Sequence, residues 1–317
     1  MKVAVVGAGI NGCAAAWALR ERGADVTVYD QFEPGHRRGS SHGRTRIFRL
    51  AYPEPHWVAL AEEAFAAWRE LERERGVRLL ELHGLVEICS SVAVSSQDVL
   101  AERGIEHRLL EPDEAPVVLP DGWIALWQRD AGVVRADAAL DAFRGGVEIE
   151  QRRIEALDEV DADVVVVTAG PWITELVPDV PVRVTRETVA YFTHAGPPLP
   201  SIVELDEGTR HHAMYALHDP VHGLKVGVHH GGNAADPNVE EPPDAQLVEA
   251  ISAWVAERLR DVEPVPAAAE TCLYTTTDDE SFVLERRGNV VIGSACSGHG
   301  FKFAPAVGRR LAALALG

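Results

Sequence analysis

The sequence predicts an α/β fold in two parts: a discontinuous domain on a parallel sheet, and an α+β domain on a mainly antiparallel sheet inserted into it twice. Three observations predict it. Lys2–Val6 is a short apolar run that passes at once into Gly7-Ala8-Gly9-Ile10-Asn11-Gly12 and an alanine-rich helix pattern. Val164–Val167 is a β-branched run ending in Thr168-Ala169-Gly170-Pro171-Trp172, as expected of a strand returning to the same crevice. Residues 182–193 and 211–230 instead alternate apolar and polar, the pattern of an antiparallel sheet with one wet face. The expected division is 1–82, 132–182 and 279–317 for the first domain, and 83–131 with 183–278 for the second.

Taken in order, the elements support this reading. Lys2–Val6 reads as a buried parallel strand, and Cys13 to Arg22 as the helix that follows it. In the spacing Gly7-x-Gly9-x-x-Gly12, Gly7 permits the tight turn. Gly9 lets the backbone approach a pyrophosphate, and Gly12 lets helix and strand pack closely. The helix start offers free N–H groups to phosphates. Val26 to Tyr29 makes a second strand with Asp30 at its end, where an acid accepts ribose hydroxyls and repels a 2′-phosphate. The unit is Rossmann-like. A polar loop over 31–44 precedes a helix from Pro55 to Arg75, with Trp57, Leu60, Ala64, Trp68 and Leu71 on one face. Residues 78–90 read as one or two strands and Gln97 to Arg103 as a short helix. Residues 244–260 read as an amphipathic helix, 271–293 as two more strands, and Ala304 to Leu316 as the last helix.

Composition excludes whole classes of function. The chain has 317 residues, 46% hydrophobic and 25% charged, with a formal net charge of -19. That charge argues against nucleic-acid binding and against docking on an anionic membrane. No apolar run of transmembrane length occurs, and a strand starting at the second residue leaves no room for a signal peptide. Cys13, Cys89, Cys272 and Cys296 are scattered, so a cytoplasmic protein without structural metal is expected. A monomer is favoured. Only Lys2, Lys225 and Lys302 are lysines among 30 basic residues. Where arginine is the default cation, Lys225 and Lys302 stand out as ammonium groups required as such.

A second glycine-rich segment, Cys296-Ser297-Gly298-His299-Gly300-Phe301-Lys302-Phe303, closes the chain. With Gly39-Ser40-Ser41-His42-Gly43-Arg44-Thr45-Arg46-Ile47-Phe48-Arg49, Gly223-Leu224-Lys225-Val226-Gly227-Val228-His229 and Thr271-Cys272-Leu273-Tyr274-Thr275, it resembles, in the same order, the monomeric sarcosine oxidase and N-methyltryptophan oxidase family of FAD-dependent amine oxidases. The resemblance implies that the first domain binds FAD, through Gly7, Gly9, Gly12, Asp30, Ser40, His42, Arg46, Gly170, Gly298, Gly300, Phe301 and Lys302. It implies Cys272 as the covalent anchor, a thioether to the flavin 8α-methyl. Arg49 and Lys302 would hold a substrate carboxylate, and Lys225 would meet oxygen beside flavin N5. Arg46 would lie near the ring's other face, and Tyr215, Tyr274 and His229 would line the substrate cavity. The chain is shorter than its family over Asp141 to Ala169, and Ser41 stands where a histidine is usual. The shortening predicts a more open cavity and a substrate larger than sarcosine.

The reaction so implied takes a hydride equivalent from the carbon beside an amine nitrogen, giving an imine, with O2 returned as H2O2. Arg49 supplies a fork and Lys302 a point charge for the carboxylate. Nearby cations keep the amine neutral, so no dedicated base is required. Two other enzymes share these residues: a flavin dehydrogenase with another electron acceptor, and an NAD-linked dehydrogenase using the N-terminal cradle alone. A catalytically silent flavin-binding subunit is a further alternative. His211, His212, His218 and His222 cluster in sequence without a functional case. His229 and His230 have no carboxylate or cysteine at ligand spacing, so no metal is expected.

Overall fold

The computed structural model describes residues 1–206 and 213–317. Its parallel part is a six-stranded sheet in the order Val283–Arg287, Val290–Ser294, Val164–Val167, Lys2–Val6, Asp25–Asp30, Glu148–Gln151. Only the edge strand Val283–Arg287 pairs antiparallel. The apolar runs follow from burial on both faces. Val3, Val5, Val164 and Val166 pack beneath the helices Ile10–Glu21 and Ala304–Leu316. Ala4, Val6, Val165 and Val167 face the other way, onto Ile173, Val177 and Val180. The first helix begins at Ile10, one turn before the predicted Cys13, because the glycine turn itself opens it.

The second part is a nine-stranded, mainly antiparallel sheet. The helix Ala245–Arg258 covers one face, its N-terminus capped by Asp244, which accepts the N–H groups of Gln246 and Leu247. Ile251, Trp254 and Val255 pack there on Ala190, Phe192, Leu224, Val226 and Val228. The register sets Tyr191 opposite Lys225, Lys225 opposite Leu217, Tyr215 opposite Gly227 and Cys272 opposite Glu187. Directly opposed residues share a face, so these side chains all lie on the side away from that helix. The polar positions of the alternation were expected to face water; instead Tyr215 and His229 line a cavity, and Glu187, Tyr191 and Lys225 are buried. Period two identifies two faces and is silent on what covers each. His211 and His212, at the start of the 211–230 pattern, lie outside the described residues.

Two further differences concern the C-terminal third. Residues 271–293 were expected as two strands, but the region holds three. Ala268–Thr276 belongs to the antiparallel sheet, while Val283–Arg287 and Val290–Ser294 form a hairpin on the edge of the parallel one. The long helix Pro55–Arg75 is where the sequence places it, with proline in its first turn. Its Trp68 is fully buried and donates an indole N–H to the Lys302 carbonyl at 2.7 Å. The core helix therefore holds the terminal glycine loop in place.

Candidate active site

The N-terminal cradle is closed by contact. A Cβ on Gly12 would stand 1.9 Å from the Gly7 carbonyl oxygen, so any side chain there separates helix from turn. Asp30 braces the same turn, accepting the Ala8 N–H at 2.7 Å and the Phe32 N–H at 2.9 Å. Ser41, from the following loop, accepts the Ile10 N–H at 3.0 Å and lies within 3.2 Å of where a Gly9 Cβ would be. Gly170 lines the far edge of the crevice. Asn11 donates to the Ala295 carbonyl at 2.9 Å across 284 residues, tying the cradle to the terminal loop.

Residues 31–44 carry no helix or strand, yet their carbonyls fix a guanidinium. Arg46, on the strand Thr45–Phe48, donates to Thr45 O at 2.9 Å, Ser40 O at 3.0 Å and His42 O at 2.5 Å. Ser40 donates its hydroxyl to Leu273 O, one residue from Cys272. His42 lines the cavity, and neither of its buried ring nitrogens has a hydrogen-bond partner among the described residues. Burial, with Arg46 and Lys225 adding to it, lowers its pKa to about 3, so the ring is neutral.

The sheet face supplies the wall. Cys272, Tyr274, Tyr215 and Leu217 line the cavity, and Lys225 lies on the same sheet face opposite Leu217, 6% exposed and 5.9 Å from the Tyr191 ring centre. Burial, with Arg46 adding to it, brings the Lys225 pKa down to about 7, against the pull of Cys272 and Glu270. Burial raises the Cys272 thiol, while Arg46 and Lys225 oppose that. Glu270 accepts the Tyr191 hydroxyl at 3.0 Å and pairs with Arg37 at 2.5 Å. Arg44 pins the loop to the sheet through Asp219, with contacts of 2.7 and 3.1 Å.

The terminal loop shapes the other end. Ser297 and Gly298 both have left-handed backbone, φ 39° and 71°. A Cβ on Gly298 would meet Tyr274 at 2.4 Å and His229 at 2.5 Å, so glycine lets these rings close against the loop. Gly300 and Phe301 line the chamber, and the Phe301 ring centre lies 5.6 Å from the Arg46 guanidinium. Lys302 Nζ donates to His299 O at 2.8 Å. Arg49 stacks 4.1 Å above the Tyr52 ring. Burial, with Arg49 adding to it, holds Lys302 well below the ordinary lysine range. His229 is likewise pushed well down, by burial first and His230 second.

Sequence reasoning missed Glu87. It is fully buried, lies 3.4 Å from Arg49 Nη1, and accepts the Ser96 hydroxyl at 2.8 Å and its N–H at 3.1 Å. Burial raises its carboxyl against those partners. The available signal was an acid inside the apolar strand Leu85–Cys89. Tyr52, Trp57 and His299, packed around Phe303, were also missed as cavity residues.

One cavity of about 870 Å³ joins these parts, from Gly7, Gly9 and Asp30 at one end to Arg49 and Lys302 at the other. The model for the family described as FAD dependent oxidoreductase matches residues 2–314. The peroxisomal sarcosine oxidase of Homo sapiens is 33% identical, covering 98% of this chain and 91% of its own. The monomeric sarcosine oxidase of Bacillus sp. (strain B-0618) is 28% identical over 99% of this chain and 92% of its own. Among solved structures, the open form of NikD, an unusual amino acid oxidase essential for nikkomycin biosynthesis, superposes with a TM-score of 0.85. It has 23% identity and coverage of 99% and 93% of the two chains. The residues present fit FAD: the cradle closes as a pyrophosphate turn, and buried polar atoms of Asn11 and His42 along the cavity lack hydrogen-bond partners among the described residues.

Proposed function

This chain belongs to the FAD dependent oxidoreductase family, and from that premise we propose that it oxidises secondary amines or amino acids bearing a carboxylate, with O2 as electron acceptor. The carrying observation is the single cavity that runs from the dinucleotide cradle to the buried cations Arg49 and Lys302. When bound, FAD supplies the acceptor for the hydride equivalent from the carbon beside the amine nitrogen. Gly7, Gly9, Gly12, Asp30 and Gly170 would hold its adenylate and pyrophosphate half. Ser40, His42, Arg46, Cys272, Gly298, Gly300, Phe301 and Lys302 would hold its ring.

The protein's part is to bind, orient and polarise. Arg49 has a planar fork stacked on Tyr52, and Lys302 a compact ammonium; together they would hold a carboxylate. Tyr215, Tyr274 and His229 would flank the amine. Lys302 sits well below the usual lysine range because burial and Arg49 penalise its charge. An arriving carboxylate restores that charge, so binding takes up a proton. Carboxylate affinity should therefore fall as pH rises from the depressed Lys302 pKa towards 10.5, by at most about tenfold per unit. The same cations disfavour a protonated amine, which removes the need for a base. Lys225 would supply the fixed positive charge for oxygen reduction.

Glu87 competes for Arg49. Glu87→Gln keeps a partner for Ser96 and releases the guanidinium, so a carboxylate ligand should bind several-fold tighter, read from its inhibition constant. A looser complex would show that Glu87 serves to aim Arg49.

Covalent attachment at Cys272 has a direct test. Acid denaturation should leave yellow colour in the protein pellet of the wild type and in the supernatant of Cys272→Ser. Colour in the supernatant of both proteins removes the thioether and leaves the rest of the reading. No helix among the described residues is long and apolar enough to cross a membrane. None of the four cysteines forms a disulfide, which fits a reducing compartment such as the cytoplasm.

A further inference from the structure

The fold joins three side chains that no spacing in the sequence connects. His229 and His230 follow the strand Gly223–Val228, and Glu280 lies in the loop before Val283–Arg287. Their donor atoms lie within 4.8 Å of one another. His229 Nε2 is 3.9 Å from Glu280 Oε2, and His230 Nε2 is 3.4 Å from Glu280 Oε1. The missing carboxylate that argued against a metal is thus supplied from a distant part of the chain.

Two further observations point to a ligand. The His230 side chain is 7% exposed, and its Nε2 is buried without a hydrogen-bond partner among the described residues, the approach to Glu280 being too poorly aligned. A buried imidazole nitrogen left so calls for an explanation, and an absent ion is one. His230 and Glu280 also both hold left-handed backbone, φ 56° and 60°. Such conformations in non-glycine residues persist where a site imposes them.

We infer that His229, His230 and Glu280 form a site for a divalent cation of the zinc type, set in the cavity wall. Two imidazoles and one carboxylate are the donor set of an open zinc site, with ligand bonds of about 2.0–2.2 Å. Donor separations of 3.4 and 3.9 Å suit one ion held at such distances. His229 and Glu280 line the cavity, so the fourth position opens into it. The ion is a plug: it takes His229 from the wall of the amine pocket and narrows the path to Arg49 and Lys302. The binding site stands independently of the oxidase reading; only its inhibitory effect rests on that reading.

The test is a titration of the flavin-loaded, chelator-stripped protein with Zn²⁺ against a chromophoric chelator, for wild type, His230→Ala, Glu280→Gln and Cys272→Ser. One Zn²⁺ per chain is expected in the wild type and in Cys272→Ser. Affinity should fall by at least about 10–100-fold in the other two, the loss that even an outer-shell partner causes. His230→Gln replaces His230→Ala if the latter loses its flavin or its melting transition. Non-saturable uptake, or equal affinity in all variants, overturns the site. Zn²⁺ should also inhibit amine oxidation reversibly with chelator; inhibition of Glu280→Gln at the same free Zn²⁺ overturns the plug.

Discussion

Replacing Lys225 by methionine is expected to slow flavin reoxidation by O2 about 10²–10³-fold, the loss typical of removing one preorganised electrostatic group. Anaerobic reduction by the amine should stay within about twofold of wild type, because Lys225 is only 6% exposed and is not among the residues that line the cavity. Stopped-flow mixing of pre-reduced protein with oxygenated buffer separates the two steps. The pH dependence has a definite sign. Lys225 is pulled down to about 7, chiefly by burial. Its ammonium is complete below that value and is lost as pH rises through it. An anion formed beside it raises the value. Reoxidation in the wild type should therefore slow with rising pH, and the dependence should vanish in Lys225→Met. Unchanged reoxidation in the variant would remove Lys225 from the oxygen step.

Arg49→Gln and Lys302→Met should each lower kcat/KM for a carboxylate-bearing amine by about 10–150-fold. That range corresponds to the roughly 1.5–3 kcal/mol carried by a hydrogen bond to a charged group. The corresponding amine without a carboxylate should be affected little by either change. Arg49→Gln also strands the fully buried Glu87, to which Ser96 remains as a hydrogen-bond partner among the described residues. Some loss of thermal stability should accompany that variant and not Lys302→Met. Steady-state kinetics on the paired substrates, with melting curves, check both statements. Equal losses on the two amines would mean that the pair shapes the pocket without binding the carboxylate.

Much of the fold was legible because periodicity and punctuation agree along long segments. The helices Pro55–Arg75 and Ala304–Leu316 sit where the pattern places them. The strands Lys2–Val6 and Val164–Val167 were legible as apolar runs buried on both faces. The short elements between residues 107 and 151 were not. His107–Leu110, Gly132–Arg135 and Glu148–Gln151 are each four residues long. Such strands exist through partners remote in sequence, and local propensity says little about them. The hairpin Val283–Arg287/Val290–Ser294 was merged with its predecessor because neighbouring strands there belong to different sheets.

The candidate site divides in the same way. Backbone demands leave a sequence signature, as Gly12 shows: its lost Cβ would strike the Gly7 carbonyl. Pairings across the fold leave almost none. Glu87 meets Arg49 from 38 residues away, and Glu280 reaches His229 and His230 only through the sheet crossing. A lone acid in an apolar strand marks a buried charge without naming its partner.

The most direct test mixes flavin-loaded protein anaerobically with N-methylated and cyclic amino acids, and with the matching amines that lack the carboxylate. The yellow flavin band should bleach with a member of the carboxylate set, far more slowly in Arg49→Gln, and not with the decarboxylated partner. Flavin that dithionite bleaches but no amine does would contradict the proposed oxidation, and equal bleaching by both sets would contradict the carboxylate clamp.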